Sequence, residues 1–292
     1  AEPWPWLAPL GRAGSGSAAY QAALRIGPEG TSVQVDSDLQ GLALQLPAPL
    51  NKRADAALPL RLRIEPLAGA PRGATRDELQ LELGSSPTPL LSLHYQREHR
   101  GAGTRVLRGS LAVRSARPAL PTAGVLAAID LGDFDADAWA RLYAAPTATP
   151  LPTAATAASA LTLQDSRPYW PTQWRLQAAR LTHAGRSWHD LSSSGSFERD
   201  TWRATVVARE LAGQISYRAG GPQAAGLVHA RLSRLDWERS GAAPPAEQAP
   251  VQPEAMPAID LVIERLRLDG RELGRLEVQA ANRVATQGPQ AG

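Results

Sequence analysis

The 292-residue chain has no cysteine, one methionine, two phenylalanines and a single lysine, Lys52. Lack of cysteine excludes a disulfide framework, a thiolate metal site and a cysteine nucleophile, and leaves both cytosol and periplasm open as compartments. All other basic residues are arginine, and 31 basic against 28 acidic residues give a net charge of only +3. That balance lacks the concentrated positive charge of a nucleic-acid groove, so no nucleic-acid partner is expected. Long apolar runs are missing too. A long uncharged stretch, Ala144 to Gln164, is broken by Pro146, Pro150 and Pro152 and is rich in Thr, which suits a linker loop and not a membrane span. Nothing near Ala1 combines a basic region, an apolar stretch and a cleavage site, and the chain reads as a piece of a longer protein. With 25 Gly, 25 Pro and 43 % hydrophobic residues, it is neither low-complexity nor too polar to fold.

What the sequence does have is alternation. Apolar residues recur at every second position, the period of a strand with one dry and one wet face. Tyr20, Leu24 and Ile26 lead into a turn at Gly27 to Gly30, and Val33 and Val35 follow it. Leu42, Leu44 and Leu46 form a further run. Leu58, Leu60, Leu62 and Ile64 alternate with Arg61, Arg63 and Glu65. Leu79, Leu81 and Leu83, a turn at Gly84 to Pro89, then Leu91, Leu93 and Tyr95 predict a hairpin. Leu107, Leu111 and Val113, then Val125, Ile129 and Leu131, extend the series. One segment departs from it: Asp135 caps a predicted short helix with Trp139, Leu142 and Tyr143 on its apolar face, and Phe134 is placed to staple onto Trp139.

An internal repeat marks the second half. Arg175 to Leu191 aligns without gaps on Asp260 to Leu276, with Arg-Leu, Gly-Arg and the final Leu in register. Each copy is a strand, a turn at Gly-Arg and a returning strand, and the alternation slips at Arg265 and Leu266 as at a bulge. Trp202 to Val206, Leu211 to Tyr217 and Leu227 to Trp237 between the copies are strand-like. The expected organisation is a β segment over 1–143 ending in the helix, a Pro/Ala/Thr-rich loop over 144–160, and a second β segment over 161–292. Repeated hairpins extend a sheet lengthwise, so each unit depends on its neighbours.

Such a sheet must cover its apolar face with a second sheet, with helices, by closing into a barrel, or with an apolar ligand. One short helix cannot do it. Aromatics at 5 % of the chain, without regular pairing per hairpin, argue against an outer-membrane barrel. No catalytic constellation emerges. His94 and His99 need not share a strand face and have no third ligand at metal spacing. His183, His189 and Asp190 flank the Gly185 turn, but the repeat places Leu268, Gly274 and Arg275 at the equivalent positions. Neither Gly14 to Ser17 nor Ser192 to Ser196 forms a nucleophile elbow, and no glycine-rich phosphate loop is present. The chain is therefore read as a non-enzyme without cofactor or metal. Trp170, Trp174, Trp188, Trp202 and Trp237, near prolines or strand ends, suit the rim of an apolar core better than a sugar-stacking platform; Trp4 and Trp6 stand in a Pro-rich start.

Ser37 to Lys52 resembles a signature stretch of the YhdP-type proteins, members of the AsmA-like group of Gram-negative envelope proteins. Asp133 to Leu142 is similar to that family's helix start, and Arg231 to Leu235, Pro257 to Leu261 and Leu273 to Glu277 resemble the segment ahead of its C-terminal region, in the expected order. The family's inner-membrane helix and final C-terminal region have no counterpart in these residues. The resemblance implies a mainly β fold: a long twisted antiparallel sheet of repeated hairpins forming an open groove, with one short α-helix. It also implies a periplasmic bridge, its parent anchored in the inner membrane, that conducts phospholipid toward the outer membrane and supports the permeability barrier. The expected partners are phospholipid acyl chains and, through the rest of the parent chain, the two membranes. Alternation names the inward candidates: Val33, Val35, Leu42, Leu44, Leu46, Leu60, Leu62, Ile64, Leu79, Leu81, Leu83, Leu91, Leu93, Leu176, Leu261, Ile263, Leu266, Leu268, Leu276 and Val278. The alternative is that these residues pack on each other in a closed β-sandwich, a glycan-binding or structural envelope module.

Overall fold

A computed structural model describes residues 13–28, 30–101, 103–144, 167–220, 226–238 and 257–281. The predicted loop over 144–160 and the tryptophans at 4 and 6 lie outside them, apart from residue 144. Strands dominate, as the alternation requires, and the chain divides into two units, 1–184 and 185–292.

The first unit holds β1 (Gly14–Gly16), β2 (Gln21–Gly27), β3 (Gly30–Ser37), β4 (Leu42–Leu44), β5 (Leu60–Leu67), β6 (Thr75–Leu83), β7 (Leu91–Arg100), β8 (Gly103–Val113), β9 (Gly124–Asp130), β10 (Asp133–Asp135), α1 (Ala136–Ala144) and β11 (Gln173–His183). Its sheet runs β2-β3-β5-β6-β7-β8-β9-β11. β9 and β10 both pair with β11, through different stretches of it, and are separated by a turn in which the Gly132 amide donates to Asp130 Oδ1. β1 and β4 form a separate two-stranded ribbon. The predicted hairpin over 79–95 forms with Leu79 opposite Tyr95, Leu81 opposite Leu93 and Leu83 opposite Leu91.

The second unit holds β12 (Arg186–Glu198), β13 (Thr201–Val207), β14 (Leu211–Arg218), β15 (Leu227–Trp237), β16 (Ala258–Leu268) and β17 (Arg271–Ala280), in the sheet order β12-β13-β14-β15-β16-β17. The repeat is visible in its turns. Ala184-Gly185 and Asp269-Gly270 both place two consecutive residues at positive φ, between 49° and 76°, the two-residue turn whose twist matches that of the flanking strands. The predicted slip is also present, as register shifts on either side of Leu266 between β16 and β17.

Two features correct the expectation. The sheets are mixed, not wholly antiparallel: β8 pairs with β9, β9 with β11, β10 with β11 and β15 with β16 in parallel. Parallel neighbours need a connection longer than a hairpin turn, and alternation records which face a side chain takes but not the strand's direction. Leu42 and Leu44 stand in the β1–β4 ribbon and not in the main sheet. That ribbon is tied down by Lys52, whose backbone bridges Leu44 and whose ammonium donates to the Leu42 carbonyl.

The helix forms as its sequence dictates. The Ala138 amide donates to Asp135 Oδ1 at 2.8 Å, satisfying one of the amides a helix start leaves unpaired. Phe134 stacks on Trp139 with ring centroids 6.2 Å apart, and the Trp139 indole donates to the Ala48 carbonyl at 2.9 Å. α1 is thereby fixed to the loop that follows β4.

Candidate functional site

Cross-strand pairing carries the predicted apolar positions into continuous rows. In the first unit, Val35, Leu62, Leu81, Leu93, Leu111, Ala127 and Trp174 succeed one another across the sheet. A second row runs Val33, Ile64, Leu79, Tyr95, Gly109, Val125. The third runs Leu60, Leu83, Leu91, Val113, Ile129, Leu176. All lie on one face, because each row takes every second residue of its strands. At about 3.4 Å per residue, three rows span about 14 Å along the strands.

The second unit repeats the plan. Trp202, Tyr217, Val228, Ile259 and Ala280 form one row; Ala204, Ile215, Ala230, Leu261 and Val278 the next; Val206, Gly213, Leu232, Ile263 and Leu276 a third. A fourth, Leu211, Leu235, Leu266 and Gly274, follows the bulges. Leu211 and Gly213 alternate regularly on β14, which fixes Leu235 and Leu266 on the same face as Leu232 and Ile263.

This face is only partly withdrawn from water. Of the strip residues named from the sequence, Ile263 is buried, Leu276 is exposed, and the others outside the β1–β4 ribbon and Leu46 are half-buried. Leu46, beyond the ribbon, is buried. On the opposite face sit Arg61, Arg63, Glu78, Gln80 and His94 in the first unit and Arg203, Gln214, Arg231 and Asp260 in the second. A strip of this kind offers dispersion contact and shelter from water over a long path, and it can accept extended apolar ligands without a chemical step.

Polar groups also border the strip. One row beyond Leu79 and Tyr95, Asp77 stands opposite Arg97, joined by two hydrogen bonds of 2.8 and 2.7 Å. The Arg97 guanidinium is pushed down by burial, but its bonds to Asp77 and Tyr169 outweigh this and raise its pKa. The Tyr95 hydroxyl donates to the Tyr169 carbonyl, and burial pushes its pKa up to about 12.

The histidines do not converge. His94 contacts Glu78 at 2.5 Å and His99 contacts Asp77 at 3.0 Å. Those carboxylates are adjacent in β6, so they and their histidines take opposite faces of the sheet. His183 lies 3.8 Å from Asp137, His189 2.6 Å from Glu210, and Asp190 2.8 Å from Arg209. Among the described residues no group of three or more His, Asp or Glu side chains could hold a metal ion. Trp202 packs on Phe197 with centroids 4.6 Å apart, and its row places it on the apolar face; Trp170 is exposed.

Sequence reading missed much of the strip in the second unit. Val228, Ala230 and Leu232 were legible as a strand, but their face was fixed only by the bulge opposite Gly213. The returning strand of the first repeat copy is the start of β12, but its second half was hidden because Ser193 and Gly195 occupy inward positions opposite Val206 and Ala204, so Ser192 to Ser196 carries no apolar alternation.

A family model described as YhdP protein matches residues 4–286. No curated protein and no solved structure matches the chain.

Proposed function

Because the chain belongs to the YhdP family, we propose that its two units are segments of an AsmA-like bridge that conducts phospholipid between the inner and outer membranes. The acyl chains lie on the apolar strip, and the charged face meets periplasmic water. The parent protein is anchored in the inner membrane of a Gram-negative envelope, and conduction supports the permeability barrier of the outer membrane. No helix among the described residues is long and apolar enough to cross a membrane.

One observation supports this reading above the others: most apolar side chains in the rows keep part of their surface open to solvent although the rows are continuous across each unit, Tyr95, Val125, Ala127, Ala230, Leu232 and Ile263 being the buried members. A closed sandwich would hide these residues against a second apolar layer. A conduit has to keep them available. At about 0.8 kcal/mol per methylene, two acyl chains of some fifteen carbons cost on the order of 20 kcal/mol to expose to water, so shelter must be continuous.

Photo-crosslinking in the full-length parent tests the reading. A probe at Leu81 or Leu261 faces the strip, whereas one at Gln80 or Val262 faces away. Phospholipid adducts, identified by mass spectrometry, are expected at the first pair alone. Equal capture at all four positions, or at none, would remove the conduit.

A further inference from the structure

In the second unit the apolar strip ends against a cavity of about 430 Å³. Trp237 and Leu268 are cross-strand partners two residues beyond Leu235 and Leu266, and therefore prolong the apolar face to its edge. Trp237 itself lines the cavity at the end of the sheet, where residues of both faces meet: Arg186 and Arg209, together with Arg267 and Asp236 from the face opposite Trp237, share its walls with Glu210 and Glu238.

These charges are arranged to meet a ligand as well as each other. Arg186 lies 3.5 Å from the centre of the Trp237 ring and donates to the Glu238 carbonyl. Stacking uses the face of the guanidinium and the carbonyl takes one of its five N–H donors, which leaves donors in the guanidinium plane to grip an oxyanion. Arg267 and Asp236 stand 3.7 Å apart, close enough for attraction but too far for a hydrogen bond, so each keeps hydrogen-bonding capacity. Glu210 accepts from the His189 amide at 2.9 Å and contacts its ring at 2.6 Å. Burial pushes this carboxyl up, yet the two His189 bonds more than offset that and hold it below the usual range, so it is anionic at neutral pH.

A free anion entering here meets three acidic residues, and a free cation meets three arginines. A zwitterion satisfies both sets, and the adjoining strip selects one that carries acyl chains. We infer that the cavity holds the head group of a zwitterionic phospholipid of the phosphoethanolamine kind. The phosphate lies on Arg186 and Arg267, the ammonium lies against Asp236 and Glu210, and the chains pass over Trp237 and Leu268 onto the strip. The inference rests on the conduit reading of the strip and adds to it a choice of head group.

Calorimetric titration of the purified chain tests it, using dihexanoyl phosphatidylethanolamine and dihexanoyl phosphatidylglycerol below their micellar concentrations, glycerophosphoethanolamine and inorganic phosphate. The ethanolamine lipid is expected to bind about tenfold tighter than the glycerol lipid, which lacks the ammonium. Glycerophosphoethanolamine, without chains, should bind more than tenfold weaker than its lipid. R186Q should weaken the ethanolamine lipid about tenfold, and D236N should bring the two lipids toward equal affinity. L261D, on the strip, should weaken both lipids and leave their ratio unchanged. Equal affinity for the two lipids in the unaltered chain, or a ratio that D236N does not move, overturns the head-group site and leaves the strip standing. Inorganic phosphate binding as tightly as lipid overturns it in favour of a free-phosphate site. Binding of neither lipid, or binding indifferent to L261D, removes the strip reading and the head-group site together.

Discussion

Glu78 shows how the polar face of the first sheet is held. It receives the His94 ring at 2.5 Å and the Gln96 and Gln80 side-chain amides at 3.2 and 3.3 Å. Burial pushes its pKa up, but these bonds more than compensate and hold the carboxyl below its usual range. A carboxylate whose folded pKa is depressed contributes stability that is fully present above its unfolded pKa of about 4.3 and is lost as pH falls through the lower folded value. The melting temperature of the chain should therefore drop as pH falls below about 4.3, and E78Q should flatten that dependence; a thermal melt series from pH 7 to pH 3 measures both. Gly109 sets a different constraint, steric and on the other face. A Cβ there would collide with the Tyr95 ring, which is buried and tied to Tyr169 by an edge-on ring contact at 5.3 Å. G109A should cost about 1 to 3 kcal/mol in urea unfolding, as overpacking does, and Y95L should relieve part of that cost. Equal destabilisation by G109A with and without Y95L would place the strain elsewhere.

At the scale of elements, local chemistry was legible where one residue type does one job. Asp135 announces a helix start, and the structure puts its carboxylate on the Ala138 amide; D135A should cost about 1 kcal/mol of stability, read as a lower urea midpoint at unchanged slope. Hairpins were legible for the same reason. Turn residues and two runs of alternating leucines fix both the register and the face, and Leu81 does meet Leu93. Direction was not legible. Gly124 to Asp130 alternates as well beside β8 in parallel as it would in antiparallel, because the facing rule is the same for both. The ribbon was misread for a related reason. Leu42 and Leu44 have the right period, but only three residues pair there, and periodicity does not say which sheet a short strand joins. The second half of β12 escaped notice because its inward positions are filled by Ser193 and Gly195, which lie opposite Val206 and Ala204 without an apolar signature.

For the whole molecule, the decisive property of a conduit is that its resistance lies in series. On the proposed conduit reading, lipid moving along the strips passes every row, so one badly placed charge is enough to stop it, and a second adds little. Leu81 in the first unit and Leu261 in the second each stand in the middle of a row, half-buried and flanked by apolar partners. An aspartate at either position puts a carboxylate against the passing acyl chains. On the scale for an aspartate at the centre of a bilayer that costs about 2.5 to 3.5 kcal/mol, a slowing of about a hundredfold at about 1.4 kcal/mol per tenfold. Both positions are only half-buried, so the substitution should leave folding largely intact, which circular dichroism and thermal melting check directly. L81D and L261D, each in the full-length parent, are expected to abolish lipid co-purification and to weaken the outer-membrane barrier toward large hydrophobic antibiotics. The double variant should be no worse than either single one. Q80D, one residue away on the charged face, should behave as the unaltered protein. Independent, additive losses from the two single variants would instead describe two separate binding surfaces, and an equal defect from Q80D would trace the phenotype to general destabilisation of β6.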